Sequence, residues 1–173
     1  VAFGDLVIGV LRRKEIHLTP IGRKLAEGIL RRHFLIERFL TDLLGLDWVK
    51  AHQEAHRLEH AVSQEVEERL AKLLSNPTTC PHGNLIPGKK APRARKGTPL
   101  HEIAAGKEVE LECITEGGER DSRLLGFMQE HKLVPGAKVQ VMDVAPSLGV
   151  MSLKVGAEEF SLGLEAAKKI RVH

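Results

Sequence analysis

Six side chains able to bind a divalent metal lie between positions 33 and 60: His33, Glu37, His52, His56, Glu59 and His60. At about 100° per helical residue, His52, His56, Glu59 and His60 fall on one face. His33 and Glu37, one turn apart, share a face of the segment before it. Three imidazoles and a carboxylate on one face are costly to bury unpaired. A dication removes that cost, because it accepts neutral imidazole nitrogen and carboxylate oxygen together. Histidine and carboxylate without cysteine suit Fe(II), Mn(II), Co(II), Ni(II) or Zn(II), whereas magnesium and calcium want mostly oxygen. A closed structural zinc site would more often use cysteine. Two other readings stay open: an exposed polar face that happens to be rich in histidine, and a hydrolase, since His56–His60 fits the inverted metalloprotease pattern HxxEH. No nucleophile or substrate pocket accompanies that pattern.

These residues need helices to hold them. Thr19-Pro20 reads as an N-cap followed by proline at the first helical position. Ile21, Leu25, Ile29, Ile36, Leu40 and Leu43 then recur at helical spacing, so a helix is expected from about 20 to 44, with Gly45 ending it. A second helix is expected over about 47–58. The tight connection at 45–47 makes the two antiparallel neighbours. Ser63 caps a third over 64–74, where Glu65 and Glu67 favour the first turn through the helix dipole. Before them, Leu6–Leu11 and Glu15–Leu18 read as a hairpin with Arg12, Arg13 and Lys14 at its tip, a basic patch able to touch phosphate.

Beyond residue 80 the pattern changes. Prolines and glycines crowd 77–97, and KKAPRARKG is basic without large hydrophobes, so 81–97 is expected to be a linker. VELECI, KVQVMDV, VMSLKV and EFSLG then read as strands, interrupted by a helical stretch at Ser122–Glu130. The expected class is α+β: a helical domain over 20–80 followed by a small SH3-like β-barrel over 98–173, with 1–19 as a hairpin remnant of a preceding domain.

Composition bounds the function. The 173 residues carry 26 basic and 23 acidic side chains, a net charge of +3. That balance permits nucleic-acid binding without arguing for it. Aromatics make up 3%, too few for a base-stacking surface. Cys80 and Cys113 form no CxxC pair, and no apolar run reaches 18 residues. A cytoplasmic chain with neither membrane contact nor a small-molecule substrate is expected.

LTPIGRKLA (18–26), RRHFLIERFLTDLLGLD (31–47), HQEAHRLEHAVSQEVEERL (52–70) and CPHGNLIPG (80–88) resemble, in order, the diphtheria-toxin-repressor family of iron- and manganese-dependent regulators. The resemblance implies a middle domain that binds metal and dimerises, and an SH3-like domain similar to the small ferrous-iron-transport A protein. By position, His33, Glu37 and His52 match the family's ancillary metal site. Aligned on the Leu133-x-Pro135-Gly136 turn, Glu116 and Glu119 complete it from the β-rich domain; the residues alone equally allow an ordinary Gly-Gly turn there. His56, Glu59 and His60 match the primary, activating site. His56 replaces the cysteine of iron-type members and the glutamate of manganese-type members, which leaves the metal undecided. Phe34 replaces an arginine that helps to hold an anion, Cys80 replaces a serine, and Asn84 keeps its matching position as an anion contact or brace.

The resemblance also implies a winged helix-turn-helix whose wing corresponds to about 5–18 and whose recognition helix would precede residue 1. The primary site is then expected to be half of a site whose other ligands come from that domain. The expected function is a homodimeric transcriptional regulator and not an enzyme, loaded with Fe(II) or Mn(II), binding palindromic double-stranded operator DNA and controlling metal uptake. The alternative from the residues is a metal-binding interaction module that never contacts DNA.

Overall fold

The computed structural model describes residues 8–12, 15–88 and 97–173. Its helical part contains β1 (Ile8–Arg12), β2 (Glu15–Leu18), α1 (Pro20–Arg38), a π-helical turn (Phe39–Leu43), α2 (Trp48–Leu58) and α3 (Gln64–Leu73). β3 (Thr98–Pro99), β4 (Glu108–Ile114), α4 (Glu116–Glu119), α5 (Ser122–Glu130), β5 (Lys138–Ala145), β6 (Val150–Val155), β7 (Glu158–Gly163), α6 (Leu164–Ala167) and β8 (Ile170–Val172) follow. β1 and β2 pair antiparallel, with Ile8 opposite Leu18 and Arg12 opposite Glu15. The side chain of Arg12, all of Arg13 and Lys14, and the basic stretch 89–96 lie outside the described residues.

Each helix start carries the cap its sequence calls for. Thr19 Oγ1 accepts from Gly22 N at 3.0 Å, Asp47 Oδ1 from Lys50 N at 2.9 Å, and Ser63 Oγ from Val66 N at 3.4 Å. Such caps contribute about 1 kcal/mol apiece. The first helix departs from a continuous 20–44 segment. Its α-helix ends at Arg38, and Leu44 N then bonds Phe39 O, five residues back. The cause is local: Thr41 Oγ1 donates to Glu37 O at 2.9 Å and to Arg38 O at 3.3 Å, competing with backbone donors for those carbonyls.

Residues 33–37 of α1 are all buried. Phe34 and Leu35 pack with Ala71, Cys80 and Ile86, while Ile36 and Leu40 pack with Ala51 and Ala55 of α2. A helix buried on every side places His33 and Glu37 inside the protein along with their apolar neighbours.

The expected linker at 81–97 needs correction over its first half. Cys80, His82 and Ile86 are buried, Ile86 N bonds Thr78 O at 2.9 Å, and Arg31 Nη1 donates to Pro87 O at 2.8 Å. Ile114 N bonds His82 O at 2.9 Å, so this segment docks on the end of β4. Gly83 makes the approach possible: its φ is +89°, and a Cβ there would stand 2.2 Å from Glu112 O. Proline and glycine here build a tight packed turn.

The β domain is an antiparallel sheet in the order β3-β8-β4-β5-β6-β7. Register shifts at Leu111/Cys113 and Val141/Asp143 mark bulges, which add twist to a small sheet. Val139, Val141, Met151 and Leu153 point into its core against Leu125 and Met128 of α5. Trp48 of α2 belongs to that same core, and its backbone N donates to Gln129 Oε1 at 2.8 Å. The two domains are thus joined by buried packing beside the metal-ligating residues. No described helix is long and apolar enough to cross a membrane.

Candidate metal centre

Glu37 stands at the centre of the site and is fully buried. Its Oε1 lies 3.0 Å from His33 Nε2 and 2.8 Å from His52 Nδ1, and those two nitrogens are 3.3 Å apart. Three donor atoms about 3 Å apart match the edges of a coordination polyhedron with bonds of about 2.1 Å. The donor set therefore fits a divalent ion. Burial disfavours ionisation of Glu37, but hydrogen bonds from His33 and His52 and the charge of His82 outweigh it and hold the carboxyl down at about 2. Burial likewise disfavours the His33 imidazolium, and the Glu37 and Glu59 carboxylates more than offset it, so its pKa is raised.

The sequence assigned Glu59, His56 and His60 to one helical face. The structure splits them, because α2 ends at Leu58 with Glu59 as its cap. His56 remains on the helix and joins His33 and His52 in a group of three imidazoles able to share one ion. Glu59 is buried, held by Arg32 Nε donating to its carbonyl at 2.8 Å. Its Oε2 lies 2.7 Å from His33 Nδ1, while Oε1 lies 3.2 Å from His60 Nε2 and 3.5 Å from His56 Nδ1. Glu59 therefore orients a histidine of one candidate site and faces two of the other. His60 is exposed in the turn after the helix.

Glu116 and Glu119 come from α4, which replaces the simple Gly-Gly turn. Gly118 allows it: a Cβ there would stand 2.6 Å from Ile114 Cγ2. Both glutamates border the cleft of about 630 Å³ that also exposes His33, His52 and His56. Glu119 is buried, and its Oε1 lies 3.1 Å from His82 Nδ1. Asn84 Nδ2 donates to Glu119 Oε1 and to Ile114 O, both at 2.6 Å. Asn84 thus braces this chain's own carboxylate, and an anion expected there would have to displace it.

Two residues were missed as ligand candidates, Cys80 and His82. Glu37, Cys80, His82 and Glu119 form a second buried group with donor atoms all within 4.8 Å of one another. Burial first, then the Glu37 and Glu119 carboxylates, push the Cys80 thiol well above its usual range. The available signal was the C-x-H spacing inside a Pro/Gly segment, obscured by its likeness to a linker.

Residues 19–88 match the family described as iron dependent repressor, metal binding and dimerisation domain, and residues 98–173 match the FeoA domain. The chain is 37% identical to the iron-dependent repressor IdeR of Mycobacterium tuberculosis over 178 residues, covering 97% of this chain and 77% of that protein. It is 48% identical to the diphtheria toxin repressor of Corynebacterium diphtheriae over 147 residues, covering 80% of this chain and 65% of that protein. Among solved structures, a manganese-dependent transcriptional repressor superposes with a TM-score of 0.82 at 30% identity, covering 90% of this chain and 84% of that one. ScaR with bound Zn2+ superposes with a TM-score of 0.79 at 30% identity, covering 99% and 86%. The chain belongs to the iron-dependent repressor family, a family of metal-dependent transcriptional regulators and not of enzymes.

Proposed function

We propose that this chain senses Fe(II) or Mn(II) for a homodimeric regulator that binds operator DNA when loaded and so controls metal uptake. The observation that carries the reading is the buried triangle of Glu37 Oε1, His33 Nε2 and His52 Nδ1, with sides of 2.8 to 3.3 Å. His33, Glu37 and His52 hold the first ion, and Glu116 and Glu119 approach it from the β domain. His56, Glu59 and His60 supply one side of the second. Zn(II), Co(II) and Ni(II) suit the same donors. The ion, when bound, supplies a fixed positive charge that favours one arrangement of its ligands. Glu59 orients His33, and α1 and α2 hold His33 and His52 at coordination spacing, so the metal-loaded state is preorganised. The helical domain extends to residue 88 and the β domain begins near 98.

Dimerisation is supported by apolar side chains left in solvent. Ile21 and Leu25 of α1 are 53% and 52% exposed, and they line a groove shared with Gln64 at the start of α3. Val66 and Leu73 of α3 are exposed too.

Anaerobic titration with Mn(II) and Fe(II) tests the reading. His33→Ala should lower affinity at the first site and His60→Ala at the second. Unchanged affinity and stoichiometry in both variants would overturn it. Metal-dependent, salt-sensitive affinity for duplex DNA tests the regulatory half. Metal binding with no such affinity in the intact protein would favour an interaction module instead.

A further inference from the structure

We propose that Glu37, Cys80, His82 and Glu119 form a separate, four-donor site for one thiophilic divalent ion of the Zn(II) or Co(II) class. It goes beyond the sensing reading, because neither Cys80 nor His82 belongs to the ligand sets proposed above. Only Glu37 and Glu119 are shared with them.

Three observations carry it. All four residues are buried, with Cys80 and Glu37 at 0% exposure. Their donor atoms lie within 4.8 Å of one another. Glu37 Oε2 has no hydrogen-bond partner among the described residues, and it points into this group, 3.6 Å from His82 Nδ1. That nitrogen also lies 3.1 Å from Glu119 Oε1. A single ring nitrogen offers one hydrogen at most, so it cannot satisfy both carboxylates. Two buried carboxylates sharing one imidazole are left undercompensated, whereas a dication satisfies both together with the sulfur.

The donor types select the ion. One thiolate, one imidazole and two carboxylate oxygens suit a four-coordinate Zn(II) or Co(II), and the sulfur disfavours Mn(II). Binding exchanges the Cys80 S–H bond for a metal–sulfur bond and releases one proton to solvent. Asn84 already aims Glu119 at the site from a neighbouring turn. Glu37 comes from α1, Cys80 and His82 from the segment before residue 88, and Glu119 from the β domain. One ion would therefore clamp the two domains together. The Glu37 carboxylate, with Oε1 toward His33 and His52 and Oε2 toward His82, is placed to bridge this ion and the first sensing ion.

The test is an anaerobic Co(II) titration of the reduced, metal-stripped chain. A thiolate-to-cobalt charge-transfer absorption should grow in and saturate with one bound equivalent, and Zn(II) should bleach it. Cys80→Ser should abolish that absorption and lower the stoichiometry by one. His82→Phe, which keeps an aromatic ring against Trp48, should weaken it at least tenfold and carries the test should the serine variant not fold. Cys113→Ser and His52→Ala should keep it. Absence of the absorption in the unmodified chain, or its survival in Cys80→Ser, overturns the proposal. If metal still binds through His33 and His52 in that case, the sensing reading stands while this one falls.

Discussion

Glu59 Oε2 lies 2.7 Å from Nδ1 of His33, so the carboxylate that faces His56 and His60 also fixes the ring that presents Nε2 to Glu37. A hydrogen bond to the far nitrogen of a ligating histidine sets its tautomer and raises its basicity. Glu59→Gln should therefore weaken metal binding at the His33–Glu37–His52 site, although Glu59 is not one of its ligands. The expected loss is about 10- to 100-fold. Calorimetry with Mn(II) at fixed pH measures it. Equal affinity for the first ion in both proteins would show that Glu59 serves only the second site.

The metal-free site should have its own pH signature. Glu37 sits at about 2 against an ordinary 4.5, so its contribution is complete above pH 4.5 and is lost as pH falls toward 2. The pKa of His33 is raised from 6.5, so its contribution is complete below pH 6.5 and is lost as pH rises through the folded value. The stability difference between the unmodified chain and Glu37→Gln, both chelated, should peak between these limits at roughly 2–4 kcal/mol. Chemical denaturation at a series of pH values reads the difference. A curve flat from pH 3 to 8 would contradict the ionised Glu37–His33 pairing.

The helical scaffold was legible because its signals are local. Thr19, Asp47 and Ser63 announce their helices, and Ser122–Glu130 appears as expected. The tightening at Phe39–Leu43 was not legible, because it depends on which carbonyls Thr41 selects. β3 and β8, of two and three residues, are too short to show a period. At the site, spacing along α1 and α2 identified His33, Glu37, His52 and His56. The roles of Cys80, His82 and Asn84 depend on a turn docked on β4, a tertiary contact that no periodicity encodes. The direction of Glu119 depends on the same contact.

That docking can be tested through Gly83. Gly83 and Gly136 both have strongly positive φ, +89° and +87°. A Cβ at Gly136 meets nothing within 4 Å, whereas one at Gly83 would collide with Glu112 O at 2.2 Å. Gly136→Ala should cost only the conformational strain, about 1 kcal/mol. Gly83→Ala must move backbone as well and should cost roughly 2–4 kcal/mol. It should also weaken any binding that uses His82. Thermal melts of the two variants side by side decide; equal shifts would mean that the 80–88 turn is not tightly docked.

The dimer surface rests on apolar area that a monomer would leave wet. Ile21 and Leu25 lie one turn apart on α1. Leu25→Asp puts a charge in the middle of that face. It should weaken self-association by roughly 100-fold or more, as loss of an interface hot spot does. The fold should be unaffected, because Leu25 is 52% exposed in the single chain. Sedimentation velocity across a concentration series measures the change. Unaltered association would move the interface to another face.

Trp48 is the chain's single tryptophan, and it connects the two domains at the metal centre. It sits at the start of α2, yet its side chain belongs to the β-domain core, and its ring meets His82 edge-on with centroids 4.8 Å apart. Removing a large buried aromatic typically costs about 3–5 kcal/mol. Trp48→Ala should do so and should also separate the domains in unfolding, since α2 then loses its plug in the other core. Two resolved transitions in calorimetry, where the unmodified chain shows one, are the expected result. Trp48→Phe keeps part of the packing and should retain a single transition at lower temperature. A single transition in Trp48→Ala with little loss of stability would mean that the domains are coupled chiefly through the Cys80–Glu119 segments.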